Sequence, residues 1–423
     1  MYSEIISFIE NSLSPYLFGF RKGHSTEQCL LIMLETWKKA IDNKGCAGGV
    51  LTDLSKAFDC LNHDLLLAKL NAYGFSIDAL KFLKSYLTDR KQRTRVGSDY
   101  SEWMKIEYGV PQGSILGPLL FNIFMNDIFF FIKDIKIANY ADDNTTYATN
   151  DNINSLITLL ERETNSIIEW FNVNEMKPNA DKCHLLMANQ NNSITVNIGN
   201  EEIVNEDCVE LLGIKIDKQL NFSKHVSKLC KKGNQKLHAL ARISKFLDKE
   251  KLKILMKTFI LSQFNYCPLV WINHNRTLNN KINRLHERAL RLVYNEPQLS
   301  FEELLEMDNS MTIHHRNVQK LAIEMYKVKN NLSPSPVIDI FQTTSHNYEL
   351  RNNREWNTDN ARTVYFGTET IRFRGPKTWD IVPQNIKEAQ SLPEFKQKIK
   401  AWKPTECKCR LCKTFIPELG FID

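Results

Sequence analysis

The chain has 423 residues, 43% of them hydrophobic and 25% charged, enough apolar material for two or three globular domains, which excludes a chain that stays unfolded for want of a core. Its formal net charge is only +6, yet the segment from Lys224 to Lys257 carries eleven Lys or Arg against Asp248 and Glu250, a local excess larger than the surplus of the whole chain. Such a concentration points to an anionic partner bound at a particular place; a solvated helical face accounts for the same charges, and charge alone leaves both readings open.

The N-terminal stretch MYSEIISFIENSLSPYLFGF lacks the charged start, apolar block and small-residue cleavage site of a secretory signal, so no export is expected. The run GGVLTDLSKAF reads as a buried strand, Gly48 to Leu54, that delivers Asp53 at its C-terminal end. Asn62 is placed to cap a helix carrying Leu65, Leu66, Leu70 and Tyr73 that stops at Gly74, and Ser76 opens another with Ile77, Leu80, Leu83 and Leu87. The basic segment RKQRTRVGSDYSEWMKIEYGVPQGS alternates like a hairpin around a Gly-Ser turn and ends in a Pro-Gln-Gly loop. The most apolar run, Ile115 to Ile132, is interrupted by Gly117, Pro118, Asn122, Asn126 and Asp127, which reads as a core helix and not a membrane span.

Further on, DIKIANY and NTTYAT alternate with period two around Ala141, Asp142 and Asp143, which predicts a hairpin with a carboxylate pair at its tip. A helix follows from about Asn152 to Phe171, then KPNADKCHLLMA as a loop and short strands, ITVNIGNEEIV with a Gly-Asn hairpin turn, and VELLGIKID closing the strand-rich part. From Phe222 the pattern is helical. Val226, Leu229, Cys230, Gly233, Leu237 and Leu240 face one way and lysines the other. Leu278, Ile282, Leu285, Ala289 and Leu292 form a second apolar stripe beside Lys281, Arg284, Arg288 and Arg291, a helix able to pack on the protein and track a phosphate backbone together. Simple solubility is the competing reading of that basic stripe. The polar run QTTSHNYELRNNREWNTDNA reads as a linker before a small C-terminal module.

The ten cysteines are scattered as far as Cys267, as reduced intracellular thiols are, and then crowd together as Cys407, Cys409 and Cys412. Those three invite zinc, but no histidine follows them at knuckle spacing and Asp423 is a poor fourth ligand; an unpaired thiol cluster is the competing reading.

The tetrapeptide YADD, Tyr140 to Asp143, places like charges side by side with nothing basic adjacent in the chain. Asp142 and Asp143 at a hairpin tip, with Asp53 at a strand end, are the ligands a two-metal phosphoryl-transfer site requires, and hard oxygens suit Mg²⁺. Ordinary turn chemistry explains an isolated Asp pair as well. The pair is not isolated: GFRKGHSTEQCL, LTDLSKAFDCLNHDLL, GVPQGSILGPLLFNIFMNDI, YADDNTTYA, NEMKPNADKCHLLMA and LLGIKID occur in this order. With these motifs the chain closely resembles the reverse transcriptases of non-LTR retrotransposons of the jockey-like type, over roughly Leu13 to Asp217 and more weakly beyond, and FRGPKTWDIVPQNIKEAQSLPEFKQKIKAW also looks like the C-terminal region of these elements.

The resemblance implies an α+β polymerase right hand: partial fingers (1–47), a palm with an antiparallel sheet (48–217), a helical thumb and connection (218–335), and a linker with a Cys-rich C-terminal module (336–423). It implies an RNA-directed DNA polymerase working on an RNA template, a DNA primer and deoxynucleoside triphosphates, in the nucleus by the family's habit, although no import run is evident. Asp53, Asp142 and Asp143 would bind two Mg²⁺ ions, for which Mn²⁺ substitutes, with the Leu54 carbonyl as an extra ligand. Phe58 would be the steric gate against a 2′-hydroxyl, and Gln112 and Gly113 would lie against the incoming nucleotide, glycine permitting close backbone approach. Lys182 would neutralise the leaving pyrophosphate, Tyr140 touch the primer end, Leu212 and Gly213 the primer strand, and Arg21 and Lys22 steady template or triphosphate. The resemblance starts late, without the upstream fingers hairpin or the family's N-terminal endonuclease, and the chain is expected to be a 5′-truncated copy. The rival is therefore a remnant that binds RNA without catalysis. An RNA-directed RNA polymerase is disfavoured by Phe58 and by Ala141 before the Asp pair.

Overall fold

In the computed structural model, which describes residues 1–343, 356–358 and 360–412, the run CAGGVLTDL forms a strand from Cys46 to Leu54 that is buried almost throughout. Near-continuous burial requires cover on both faces, and the strand sits inside a sheet. The order across the sheet is Lys136–Tyr140, Asp143–Asn150, Cys46–Leu54, Pro178–Ala188, each neighbour antiparallel. The last of these corrects the sequence reading: residues 178–188 form one long strand, not a loop and short strands. Its pairing with the central strand shifts register between Leu51 and Asp53, so the alternation that would have revealed it is broken.

One face of this sheet packs on helices. His63–Ala72 starts at Asn62, whose side chain accepts from the amides of Asp64 and Leu65, and Ile77–Leu87 starts at Ser76, which accepts from Ala79. The apolar run expected from Ile115 becomes two helices, Gly117–Met125 and Ile128–Phe131. The polar residues that argued against lipid are cross-links inside the core. Asn122 Nδ2 donates to Gly19 O (2.8 Å), Asn126 joins Ser12, Ser14 and Tyr73, and Asp127 pairs with Lys69 at 2.8 Å. No helix among the described residues is long and apolar enough to cross a membrane. Ile153–Val173 joins this helical layer, capped by Asn152 and burying Leu156 and Leu160 near the central strand, with Ile167 and Phe171 in one core with Leu66, Leu70 and Phe124.

The chain divides into two compact units, Met1–Cys29 with Lys44–Asp207, and Leu30–Asn43 with the chain from Cys208 onward. The Cys208–Leu211 and Ile214–Asp217 hairpin, read with the palm in the sequence, therefore clusters with the second unit. That unit is largely helical. Ser223–Ile243 crosses Arg276–Tyr294 at Gly233, where a Cβ would lie 2.5 Å from Leu285 Cδ2, so glycine sets the approach of the two helices. Helix Ile313–Lys329 carries the C-terminal module: Tyr326 stacks on Phe395 with centroids 4.3 Å apart, and its hydroxyl donates to Ala389 O at 2.8 Å. Within the segment read as a linker, Gln342–Thr343 pairs with Trp356–Asn357 and Trp356 is buried against Phe341; residues 344–355 and 359 lie outside the described residues.

Two buried carboxylates of the helix Thr26–Asp42 hold the same unit together, and nothing in the sequence announced them. Glu35 accepts from the amides of Ile371 and Arg372, the first turn of helix Ile371–Asp380, each at 3.2 Å. Asp42 accepts from Arg362 N (3.2 Å) and from Thr363 N and Oγ1 (2.8 and 2.7 Å). Burial pushes the Asp42 carboxyl up, but the Thr363 and Arg362 hydrogen bonds and the Arg372 charge outweigh it and hold it below the usual carboxylate range. A carboxyl lowered in the folded state contributes stability above its unfolded pKa and loses it as pH falls through the folded value. Asp42→Asn is therefore expected to cost about 1–3 kcal/mol at neutral pH. Thermal melts from neutral to acid pH should show the two proteins converging as wild-type Asp42 protonates.

Candidate active site

Tyr140 pairs with Asp143, so Ala141 and Asp142 are the two residues of a tight hairpin turn. Ala141 takes φ 57°, the left-handed region that a Cβ disfavours. The turn persists because its carbonyls are held from below. Asn139 Nδ2 donates to Ala141 O (3.1 Å) and to Asn144 Oδ1 (2.7 Å), while Asn144 Nδ2 donates to Asp142 O (3.0 Å). Thr52 Oγ1 in turn donates to Asn144 O at 3.2 Å, joining the turn to the central strand. The asparagines flanking the motif went unassigned in the sequence; their places at either end of NYADDN were the available signal.

A second support comes from the N-terminal segment. Leu17 bridges to Asn139, Phe18 N donates to Asn139 O at 3.1 Å, and a Cβ on Gly19 would stand 2.5 Å from the backbone nitrogen of Ala141. The motif GFRKG was read for its cations, but the residue that touches the carboxylate turn is its first glycine. Arg21 is a correction. Its guanidinium donates to Ser14 O (2.6 Å), Leu17 O (3.2 Å) and Glu10 Oε1 (2.7 Å), and only 6% of the side chain is exposed, so it fastens the N-terminal segment and offers nothing to a template. Lys22 is exposed.

The pairing of Thr52 with Asn144 sets the next residues, Asp53 and Asp143, at the same level on adjacent strands. Asp143 is exposed at the turn, with Asp142 and Asp53 half-buried. Partial burial first, then the charges of Asp142 and Asp53, push the Asp143 carboxyl above its ordinary value. Lys182 Nζ lies 3.1 Å from Asp53 Oδ2, so the lysine read as a leaving-group cation is salt-bridged to a carboxylate of the site. Leu54 ends the strand with its side chain in the core, and Tyr140 is half-buried at the base of the turn. The donor set is three carboxylates, hard oxygens whose accumulated charge already disfavours ionisation of one of them. It fits hard divalent cations.

Phe58 stacks on Phe121 with centroids 4.2 Å apart and meets Phe20 edge-on at 5.9 Å, which fixes one side of its ring. The loop before the apolar helix docks on the backbone beneath it: Val110 N donates to Phe58 O (3.0 Å), Gly109 N to Leu61 O (2.7 Å), and Gln112 Nε2 to Asp59 Oδ1 (2.8 Å). Gly109 is where this loop meets the backbone most closely, since a Cβ there would sit 2.7 Å from Asp59 Cα. Gly113 has open space around it, and its φ of 78° is what calls for glycine.

In the second unit, Leu212 and Gly213 form a two-residue turn with φ 47° and 76°. Tyr266 donates its hydroxyl to Leu212 O at 2.8 Å. Of the basic stripe, Lys281 and Arg284 are exposed, and Arg288 donates to Asn234 Oδ1 at 2.9 Å. Arg291 departs from the expectation of a free phosphate ligand, pairing with Glu287 at 2.7 Å and donating to Leu299 O at 3.2 Å. A groove of about 630 Å³ between the two long helices is lined by His238, Lys245, Lys249, Arg288 and Arg291 together with the apolar Leu237, Leu252 and Val293.

Residues 1–216 match the reverse transcriptase (RNA-dependent DNA polymerase) family. The RNA-directed DNA polymerase from mobile element jockey of Drosophila melanogaster is 26% identical over 342 residues, 77% of this chain and 37% of that protein. The probable RNA-directed DNA polymerase from transposon BS of the same species is 27% identical over 299 residues, 67% of this chain and 33% of that protein. The chain thus spans about a third of the length of the curated relatives it matches. Among solved structures, telomerase from Candida albicans in complex with a fragment of telomeric RNA aligns with 74% of this chain and 58% of its own at 11% identity and a TM-score of 0.42.

Proposed function

The chain belongs to the reverse transcriptase (RNA-dependent DNA polymerase) family, and on that premise we propose that it extends a DNA 3′ end along an RNA template from deoxynucleoside triphosphates, as a jockey-like non-LTR retrotransposon polymerase. The observation that carries this reading is the carboxylate turn: Asp142 and Asp143 on a hairpin tip whose carbonyls are pinned by Asn139 and Asn144, beside Asp53 on the paired strand. Asp53, Asp142 and Asp143 would hold two Mg²⁺ ions, or Mn²⁺ in their place, with the Leu54 carbonyl completing the set. Those cations supply charge neutralisation for the attacking and leaving oxygens. The chain's own residues orient the rest. Lys182 sets the Asp53 carboxylate, Gln112 and Gly113 form the floor under the nucleotide, Tyr140 meets the primer end, and Leu212 with Gly213 follows the primer strand. The exposed Lys22, Lys281, Arg284 and Arg288 contribute to nucleic-acid binding by charge, which makes that binding salt-sensitive. The irregular scatter of the cysteines along the chain agrees with an intracellular, and on this reading nuclear, place of action.

Primer extension on an RNA template with Mg²⁺, comparing the chain with its Asp142→Asn/Asp143→Asn variant, tests the proposal. The basic groove favours one rival, RNA binding without catalysis. Salt-sensitive RNA binding by both proteins with extension by neither would establish that rival. Phe58 gives an independent check. Phe58→Val is expected to cost about 2 kcal/mol through lost stacking on Phe121. It should also raise ribonucleotide incorporation relative to deoxynucleotide by about 10- to 100-fold. An unchanged ratio in a folded variant assigns Phe58 to the core alone.

A further inference from the structure

The thiols of the tail CKCRLCKTF were expected to lack a fourth ligand because no histidine follows them in the chain. The fold supplies one from far upstream. His314, in the first turn of helix Ile313–Lys329, and Cys407, Cys409 and Cys412 bring one ligand atom each within 4.8 Å of one another. His314 Nε2 faces Cys409 Sγ at 3.1 Å across a separation of 95 residues. The imidazole is buried, and its Nδ1 has no hydrogen-bond partner among the described residues, so the sulfur cluster is what its ring addresses. We propose that His314, Cys407, Cys409 and Cys412 bind one Zn²⁺ ion and thereby fasten the C-terminal tail to helix Ile313–Lys329.

The chemistry of the donors selects the metal. Three thiolates and one imidazole are soft-to-borderline ligands, unlike the hard carboxylates of the polymerase site, and match the four-coordinate Cys₃His sets of structural zinc. Tetrahedral zinc with Zn–S of about 2.3 Å and Zn–N of about 2.0 Å spaces its ligand atoms roughly 3.5–3.8 Å apart, within reach of side-chain adjustment from the observed cluster. Four protein ligands leave no open position for water or substrate, so the role is structural. The local backbone is already turned for it: Cys407 N donates to Pro404 O (3.2 Å) and Cys412 N to Cys409 O (3.0 Å), gathering the three sulfurs on one side. The same helix holds the approach to the tail, Gln319 Nε2 donating to Ile399 O (2.8 Å) and Trp402 O (2.6 Å). A metal clip would close a loop of more than ninety residues. His315 Nε2 lies 3.6 Å from Cys412 Sγ but stands outside the four-atom cluster, which makes it the natural control.

The test uses the full chain, purified reduced and without chelator. Elemental analysis is expected to find one zinc per chain, released by a thiol-binding mercurial, and Co²⁺ in its place should give the intense visible bands of a tetrahedral thiolate site. His314→Ala and Cys409→Ser should lose the metal, while His315→Ala, Cys267→Ser and Asp142→Asn/Asp143→Asn keep it. Reduced wild-type chain that takes up neither Zn²⁺ nor Co²⁺ with that spectrum overturns the proposal, and this outcome needs no variant to fold. Full zinc occupancy in His314→Ala overturns it as well, because the fourth ligand is then another group.

Discussion

Asp142→Asn/Asp143→Asn is expected to reduce primer extension on an RNA template by about 10³-fold or more while leaving the folded chain at least as stable as wild type. The first half follows from what the carboxylates are for. On the proposed function, cations held by Asp53, Asp142 and Asp143 would supply several kcal/mol of charge stabilisation, and about 4 kcal/mol is already about 10³-fold in rate. Raising Mg²⁺ should not restore the loss, because the amides keep the shape of the turn and remove its charge. The second half follows from the electrostatics of the free protein. Partial burial and the charges of Asp142 and Asp53 raise Asp143 above its ordinary pKa. A carboxyl raised in the folded state opposes folding at neutral pH, and that opposition disappears as pH falls through its folded value. The amide variant should therefore melt at the same temperature or higher at neutral pH, and the difference should vanish in acid. A variant that loses extension and also melts early at neutral pH would mean that the carboxylates hold the hairpin together, not that they await cations. Retained extension would remove the polymerase reading itself.

What was legible in the sequence was what is encoded locally. The carboxylate pair declared itself because like charges in a tight turn violate a local rule, and the caps at Asn62 and Ser76 because capping chemistry spans only three residues. The hairpin was found through an alternation that has a different cause from the usual one. Its polar members do not face water: Asn139, Asn144 and Thr146 are buried and hydrogen-bonded, Thr146 Oγ1 to Val50 O and to Thr164 Oγ1. What stayed hidden were contacts made across long stretches of chain. Glu35 and Asp42 meet backbone amides more than three hundred residues away, His314 meets Cys409 across 95, and the strand at residues 178–188 is irregular because of its partner's register. Arg21 shows the converse error. A cation inside a recognised motif was read as a ligand for phosphate, whereas three carbonyl and carboxylate groups within eleven residues of it claim the guanidinium.

Gly19→Ala carries the other large effect, and it separates positioning of the site from its charge. The added Cβ would stand 2.5 Å from Ala141 N and 3.0 Å from Ala141 Cα, both backbone atoms that cannot rotate away. Either the Leu17–Gly19 segment lifts from the strand Lys136–Tyr140, against the Phe18–Asn139 and Asn122–Gly19 hydrogen bonds, or the turn carrying Asp142 moves. Overpacking of this kind costs about 1–3 kcal/mol of stability. If the turn acts as proposed, a shift of about 1 Å at its carboxylates would cost roughly 10²-fold in rate, because phosphoryl transfer depends on placement. The loss should fall on kcat, with primer–template affinity unchanged, since the exposed cations proposed to bind nucleic acid are untouched. Ala141→Gly should not rescue it, because removing the methyl, 3.2 Å from the added Cβ, leaves the closer contacts with backbone in place. Lys22→Ala, three residues along the same motif, should retain the wild-type kcat. A Gly19→Ala chain with undiminished kcat would show that the turn is held by Asn139 and Asn144 alone and that the N-terminal segment is packing without consequence for the site.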